Sequence, residues 1–233
     1  MTPVQMLVAL ATAPRRAFES LAQKPNWLFP FLLVLVATLA VTVWYYLKVD
    51  LVWITDMQLR ANPRTAALTE AQRELLLARV KQYSSVTVWS AVIAVPIMLL
   101  AVRALEALWY SLAGKITNVD RGFRQWFALA NWTSVFGVIA VIPALIALAM
   151  TSGNQIEPGI IQPLSINELF LHRPMGAPGY QLWTNLNLLS FVGAALAIIG
   201  VKTWSARSWL FSAIFVLLPA AIILGIVAMF MLR

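Results

Sequence analysis

The sequence contains five apolar stretches that are each long enough to cross a lipid bilayer as an α-helix. The hydrocarbon core of a bilayer is about 30 Å thick, and a helix needs about 20 apolar residues to span it. The predicted spans cover residues 27–47, 86–113, 126–150, 186–204 and 209–232. Trp and Tyr cluster near the ends of these stretches, as is typical of side chains with an apolar ring and a polar tip. The fold class that follows is an all-α, polytopic membrane bundle of about five transmembrane helices.

The composition supports a membrane protein and excludes several other classes. Hydrophobic residues make up 61% of the chain and charged residues only 11%, whereas a soluble domain is about half apolar and about a quarter charged. The 17 Lys and Arg exceed the 9 Asp and Glu, but they lie in short clusters beside apolar stretches, which favours contact with anionic lipid headgroups over nucleic acid. With no Cys and a single histidine, His172, we predict no cofactor and no metal site.

The first 25 residues form a segment separate from the spans. Their apolar run, Val4–Ala11, has no basic residues before it and is followed by Arg15 and Arg16, which is the reverse of a signal peptide. We predict an amphipathic helix at the membrane interface, and hence a division into an interfacial segment (1–25) and a transmembrane domain (26–233). The apolar side chains expected to face lipid are Leu7, Phe18 and Leu21.

Two long loops separate the spans. In the first, Thr69 and Gln72 form a T-x-x-Q capping box that predicts a short helix reaching Tyr83; this helix is either a solvated lead into the second span or a docking site for a partner. The second loop, 151–182, is rich in Pro and Gly and predicts irregular structure with a short helix at Ser165–Leu171. Because two spans separate them, both loops lie on the same side of the membrane.

The distribution of basic residues predicts an N-terminus on the inner side. The simple count is tied, with eight Lys and Arg on each side. The basic residues on the N-terminal side, however, lie in short loops, and short loops count most in the positive-inside rule. One of these loops is the cytoplasmic basic loop with Lys115, Arg121 and Arg124.

Arg103 and Glu106 lie one helical turn apart within the second span. A charge at the centre of a spanning helix costs about 2.5–3.5 kcal/mol, so such residues are candidates for function. Asn131 and Ser134 lie at a similar depth on the third span, and the four residues form a candidate intramembrane polar cluster. The alternative is a structural ion pair, because Arg103 is about 9 Å from the interfacial Trp109, within reach of the interface for a long side chain.

Small residues repeat at helical spacing in the last two spans. Such small-xxx-small faces let two helix backbones approach closely. We expect them to pack helices within the bundle or to bind a partner helix. The residues are Gly193, Ala197 and Gly200 on the fourth span, and Ala221 and Gly225 on the fifth.

The pattern as a whole resembles the Yip family of five-span membrane proteins in its bacterial form. The resemblance rests on an N-terminal APRRAFESLAQKPNWLFP, on LWYSLAGKITNVDRGFRQWFALANW between the second and third spans, and on PLSINELF followed by GYQLWTNLNLLSFVGAALAIIGVKTWSARSWLFSAIF. It implies a five-helix bundle with a cytoplasmic N-terminus. It also implies a role beside ATP-driven efflux systems of the macrolide-exporter type, which bacterial members often accompany.

The leading hypothesis is a non-catalytic scaffold or accessory subunit of a membrane complex, with an ABC-type exporter as the partner, in a bacterial cytoplasmic membrane. The runner-up is a transporter, channel or lipid-handling protein that uses the polar cluster between the second and third spans. An intramembrane enzyme is disfavoured, because no nucleophile–base pair, paired carboxylates or phosphate-binding loop occurs at a credible site.

Overall fold

The computed structural model describes residues 1–231, and Leu232 of the predicted last span lies outside them. Within these residues the chain is helical and has no β-strand. The α-helices are α1 Pro3–Thr12, α2 Pro14–Gln23, α3 Leu28–Lys48, α4 Leu51–Ala61, α5 Glu70–Gln82, α6 Ser84–Thr117, α7 Phe123–Thr133, α8 Val141–Met150, α9 Tyr180–Asn185, α10 Leu188–Ser205 and α11 Trp209–Met231.

Five helical segments are long and apolar enough to cross a membrane, which confirms the predicted all-α, five-span class. They are Leu28–Lys48, Ser84–Thr117, Phe123–Met150, Leu188–Ser205 and Trp209–Val227. The third segment is composite, because a 3₁₀ turn at Val135–Ala140 joins α7 to α8. The fold class therefore follows from the lengths of the apolar stretches alone. This is expected because a chain segment in lipid must satisfy its backbone polar groups through hydrogen bonds within a helix.

The second span is longer than the sequence predicted. At about 1.5 Å per residue, the 34 residues of α6 extend about 50 Å, well beyond a hydrocarbon core of about 30 Å. The apolar stretch stops near residue 113, but nothing breaks the helix until Asn118, whose φ of 58° lies in the left-handed region. The helix is therefore longer than a hydrocarbon core of this thickness requires.

The first long loop contains a helix that the sequence analysis did not predict. This helix, α4, begins three residues after α3 ends, and Asp50 caps it by accepting hydrogen bonds from the amides of Val52 (2.9 Å) and Trp53 (3.0 Å). The predicted capping box is present at the start of α5: the Gln72 amide donates to Thr69 Oγ1, and the Thr69 amide donates to Gln72 Oε1. In the second loop, the predicted short helix is a π-helical turn at Asn167–Leu171.

The N-terminal segment consists of two helices, because Pro14 begins a new helix directly after Ala13. The amphipathic pattern is present, but the expectation that its apolar side faces lipid is wrong for two of the three residues. Phe18 is completely buried and Leu21 is 2% exposed, and both belong to the core of the protein. The apolar face of α2 is therefore covered by side chains from other helices of the chain.

The chain divides into two compact units. The first contains Met1–Leu35, Met98–Gly137 and the described residues from Leu189 onward, and its core is built around Trp126, Trp132 and Phe18. The second contains Val36–Ile97 and Val138–Leu188. Two of the four divisions fall within α3 and α6, so these two helices contribute residues to both units.

The core of the second unit lies around Tyr45 and Leu148. The Tyr45 hydroxyl donates to the carbonyl of Ile156 at 3.1 Å. Lys48, the last residue of α3, donates through Nζ to the carbonyls of Leu148 (2.5 Å) and Thr151 (2.6 Å). These two carbonyls are at the end of α8, where the last helical turn has no internal donors, so the ammonium group satisfies them and complements the negative end of the helix dipole.

We expect Asp50→Ala to destabilise α4 by about 1 kcal/mol, because it removes the acceptor for two amides that otherwise lack a partner. Asp50→Asn is the matched control, since asparagine caps a helix about as well as aspartate. The measurement is hydrogen–deuterium exchange of residues 51–61 in detergent. Equal exchange in the two variants would show that the cap does not hold this helix.

Candidate functional site

Trp126 is at the centre of the aromatic core of the first unit. It is completely buried, and its ring centroid lies 5.7 Å from that of Tyr110, 5.2 Å from that of Trp204 and 5.5 Å from that of Phe215. These contacts join α6, α7, α10 and α11. Offset and edge contacts of this kind contribute about 0.5–1.5 kcal/mol per pair beyond the area they bury.

Side-chain donors on the spanning helices bind the backbone of the N-terminal segment and of Asn26, which directly follows it. Trp204 donates through its indole nitrogen to the carbonyl of Phe18 at 2.8 Å, and Trp132 donates to the carbonyl of Asn26 at 2.6 Å. Gln125 donates to the carbonyl of Ala22 at 3.0 Å. The last two acceptors lie at and beyond the end of α2, where carbonyls have no helical donor. The N-terminal segment is therefore fastened to α7 and α10.

Arg103 and Glu106 form an ion pair, with 2.6 Å between Arg103 Nη1 and Glu106 Oε2. The Tyr110 hydroxyl donates to the other carboxylate oxygen at 2.9 Å, and Arg103 also reaches the carbonyl of Ala130 at 3.4 Å. About a quarter of each charged side chain is exposed. The pair is therefore neutralised and hydrogen-bonded within the first unit, which is the arrangement that a charge in a spanning helix requires.

Asn131 and Ser134 have other partners than the ion pair. The buried amide of Asn131 donates to the carbonyl of Phe127 at 2.8 Å, and the hydroxyl of Ser134 donates to the carbonyl of Asn131 at 2.9 Å. Both bonds stay within their own segment. The residue that joins the Arg103–Glu106 ion pair is instead Tyr110. The sequence did not lead us to predict this residue, although it follows Glu106 by four positions, the spacing of neighbours on one helix face.

The small residues of α10 lie inside the first unit. A Cβ atom on Gly193 would lie 2.9 Å from the carbonyl oxygen of Thr133, and one on Gly200 would lie 2.6 Å from Leu129 Cδ1. Ala197 is 2% exposed. Ala221 and Gly225 differ: both are exposed, and a Cβ atom on Gly225 would meet nothing within 4 Å. Of the two predicted faces, one packs the bundle and the other is exposed.

The basic loop between α6 and α7 meets the α10–α11 turn. The Arg121 guanidinium lies 5.8 Å from the ring of Trp204, and Arg207 Nη2 donates to the carbonyl of Thr117 at 2.5 Å. Lys115 and Arg124 are exposed. Within residues 1–231 no group of three or more His, Cys, Asp or Glu side chains is placed to hold a metal ion.

These features define a multi-pass, all-helical membrane protein with a polar pair in one span and two small-residue faces. Residues 8–230 match the family model described as the Yip1 domain. The chain therefore belongs to the Yip1 domain family, which confirms the resemblance to the Yip family. No curated protein and no solved structure gives a match to the chain.

We expect Glu106→Gln to destabilise the protein by about 1–2 kcal/mol, because it leaves the Arg103 guanidinium without a counter-ion in a spanning helix. The double variant Arg103→Leu/Glu106→Leu removes both charges and should cost less than the sum of Arg103→Leu and Glu106→Leu. The measurement is unfolding in mixed micelles. Additive effects of the two leucine substitutions would contradict a structural ion pair.

A second prediction compares two glycines in spanning helices. Gly193→Ala should destabilise the bundle by about 1–3 kcal/mol, because the new methyl group meets a backbone oxygen that cannot rotate away. Gly225→Ala should be neutral or stabilising, since its Cβ points into open space and alanine favours the helix by about 1 kcal/mol. Thermal unfolding in one detergent compares them. Equal effects would show that α10 does not pack closely on α7.

Proposed function

We propose that this protein is a non-catalytic membrane subunit that organises or regulates a partner complex, with an ABC-type exporter as the partner. The observation that carries the proposal is the second part of α11. Every residue from Leu217 to Ile226 except Pro219 is exposed. Phe215 and Val216, directly before this stretch, are buried in the core. Helix α11 is therefore packed in the core at Phe215 and Val216 and exposed directly after them.

The uncovered part of α11 has the chemistry of a helix–helix contact within lipid. Helices in a bilayer gain no hydrophobic free energy from associating, so association depends on close van der Waals packing, which small residues permit. Ala221 and Gly225 lie one turn apart and are flanked by the exposed Leu218 and Ile222. We propose that a transmembrane helix of the partner packs against this strip.

The location belongs to the same proposal: a bacterial cytoplasmic membrane with the N-terminus inside. The support is the charge on the N-terminal side of the spans, since positively charged short segments stay on the cytoplasmic side. Six of the eight basic residues on the other side lie in one long loop, whereas the eight on the N-terminal side lie in the first 25 residues and at two short connections between spans. The basic residues on the N-terminal side are Arg15, Arg16, Lys24, Lys115, Arg121, Arg124, Lys202 and Arg207.

The alternative, transport or lipid handling through the Arg103–Glu106 pair, has less support. A working polar site needs side chains that are free to bind a solute or a proton. Here the carboxylate already accepts from Tyr110 and Arg103, and the amide of Asn131 is bonded to its own helix. The geometry therefore favours a structural role for these residues.

The test is affinity purification of the tagged chain from its native membranes in mild detergent, followed by mass spectrometry. We expect an ATP-binding transporter in fixed ratio to the wild type, and its loss from Ala221→Leu/Gly225→Leu, because the added side chains prevent close helix approach. Ala94→Leu/Ala101→Leu adds nearly the same bulk at exposed positions of α6 and is the matched control. Recovery of the protein alone, or an equal loss from both variants, would contradict the proposal.

A further inference from the structure

An open groove of about 580 Å³ lies beside the N-terminal segment in the first unit. The start of α2 forms one wall, with Arg15, Arg16 and Glu19, and the other wall is formed by Ile199 of α10 and Trp209 of α11. The volume is within the range of pockets that hold small organic ligands. Neither the aromatic core nor the polar pair described above contributes to it.

The charged wall of the groove carries a positive excess. Arg15 and Arg16 are both exposed, and the ion pairs found within residues 1–231 include neither of them. Glu19 is the single acidic residue of the groove. Two free guanidinium groups match a phosphate, which they can bind through paired N–H···O bonds.

The opposite wall is apolar and belongs to spanning helices. Ile199 begins the last seven residues of the Leu188–Ser205 span, and Trp209 is the first residue of the Trp209–Val227 span. Trp209 is 57% exposed. A large exposed indole at the end of a span is typical of the headgroup level of a membrane. The groove therefore joins a cationic wall to an apolar wall at the boundary between headgroups and acyl chains.

We propose that this groove binds one acidic phospholipid of the leaflet on the N-terminal side. The lipid phosphate lies against Arg15 and Arg16, and the first part of an acyl chain lies against Ile199 and Trp209. The Glu19 carboxylate repels any anion in the groove, so it lowers the affinity for the lipid. This inference does not depend on the partner proposed for α11, because the two surfaces share no residue.

The test uses the full-length chain purified in mild detergent and measures retained lipid by native mass spectrometry. The probes are phosphatidylglycerol and phosphatidylcholine with identical acyl chains. We expect the wild type to retain phosphatidylglycerol in preference, and Arg15→Gln/Arg16→Gln to weaken that retention about 25-fold, since each basic residue near a membrane surface changes anionic lipid binding about fivefold. Glu19→Gln should strengthen it by about fivefold, the opposite direction, because it removes one negative charge.

The matched control is Arg64→Gln/Arg79→Gln, which removes the same charge at two exposed positions in the other unit and should leave retention unchanged. Equal retention of both lipids, the same loss in the control, or weaker retention in Glu19→Gln would each overturn the proposal. If the double arginine variant does not fold, the Glu19→Gln result decides alone. Loss of a bound acidic protein from the arginine variant, with lipid retention unchanged, would assign the groove to a protein instead.

Discussion

The contacts of Trp126 hold together the helices on which the other features of the first unit depend. Its ring contacts side chains from α6, α10 and α11, so three spans are fixed to α7 through one residue. One of those side chains, Tyr110, also donates to Glu106 and thereby links the aromatic core to the ion pair. Another, Trp204, donates to the carbonyl of Phe18 and links the same core to the N-terminal segment. In a bilayer, an apolar side chain gains little free energy by moving from lipid into the protein. The specificity of the fold therefore depends on close packing and on hydrogen bonds of this kind.

The fold class could be predicted from the sequence because the constraint behind it is one-dimensional. A spanning helix must be apolar over about 20 residues, and this length is visible without any knowledge of the neighbours. Helix ends were less predictable, because apolar runs do not mark where a helix stops: α6 continues to Thr117, and α10 begins at Leu188 rather than at residue 186. Leu186 caps the C-terminal end of α9, and its carbonyl accepts from the amide of Ile166. This hydrogen bond joins residues that are distant in the sequence, so the local pattern of apolar residues does not indicate it.

The candidate site was predictable only where the partners share a helix. Arg103 and Glu106 were paired correctly because a spacing of three residues places them on one face. The assignment of Asn131 to that pair required knowledge of how the third span is rotated about its own axis, which depth along the membrane does not give. The same limit applies to Phe18: an amphipathic pattern shows that one face is apolar, and it does not distinguish a face that meets lipid from one that meets protein.

The hydrogen bond between Trp204 and Phe18 joins residues 186 positions apart, and this has a consequence for the order of assembly. The ribosome completes α2 long before it makes α10, so the apolar face of α2 cannot complete its packing until the fourth span has been made. The contact of the N-terminal segment with the fourth span is therefore a late step of assembly, although the segment itself is made first.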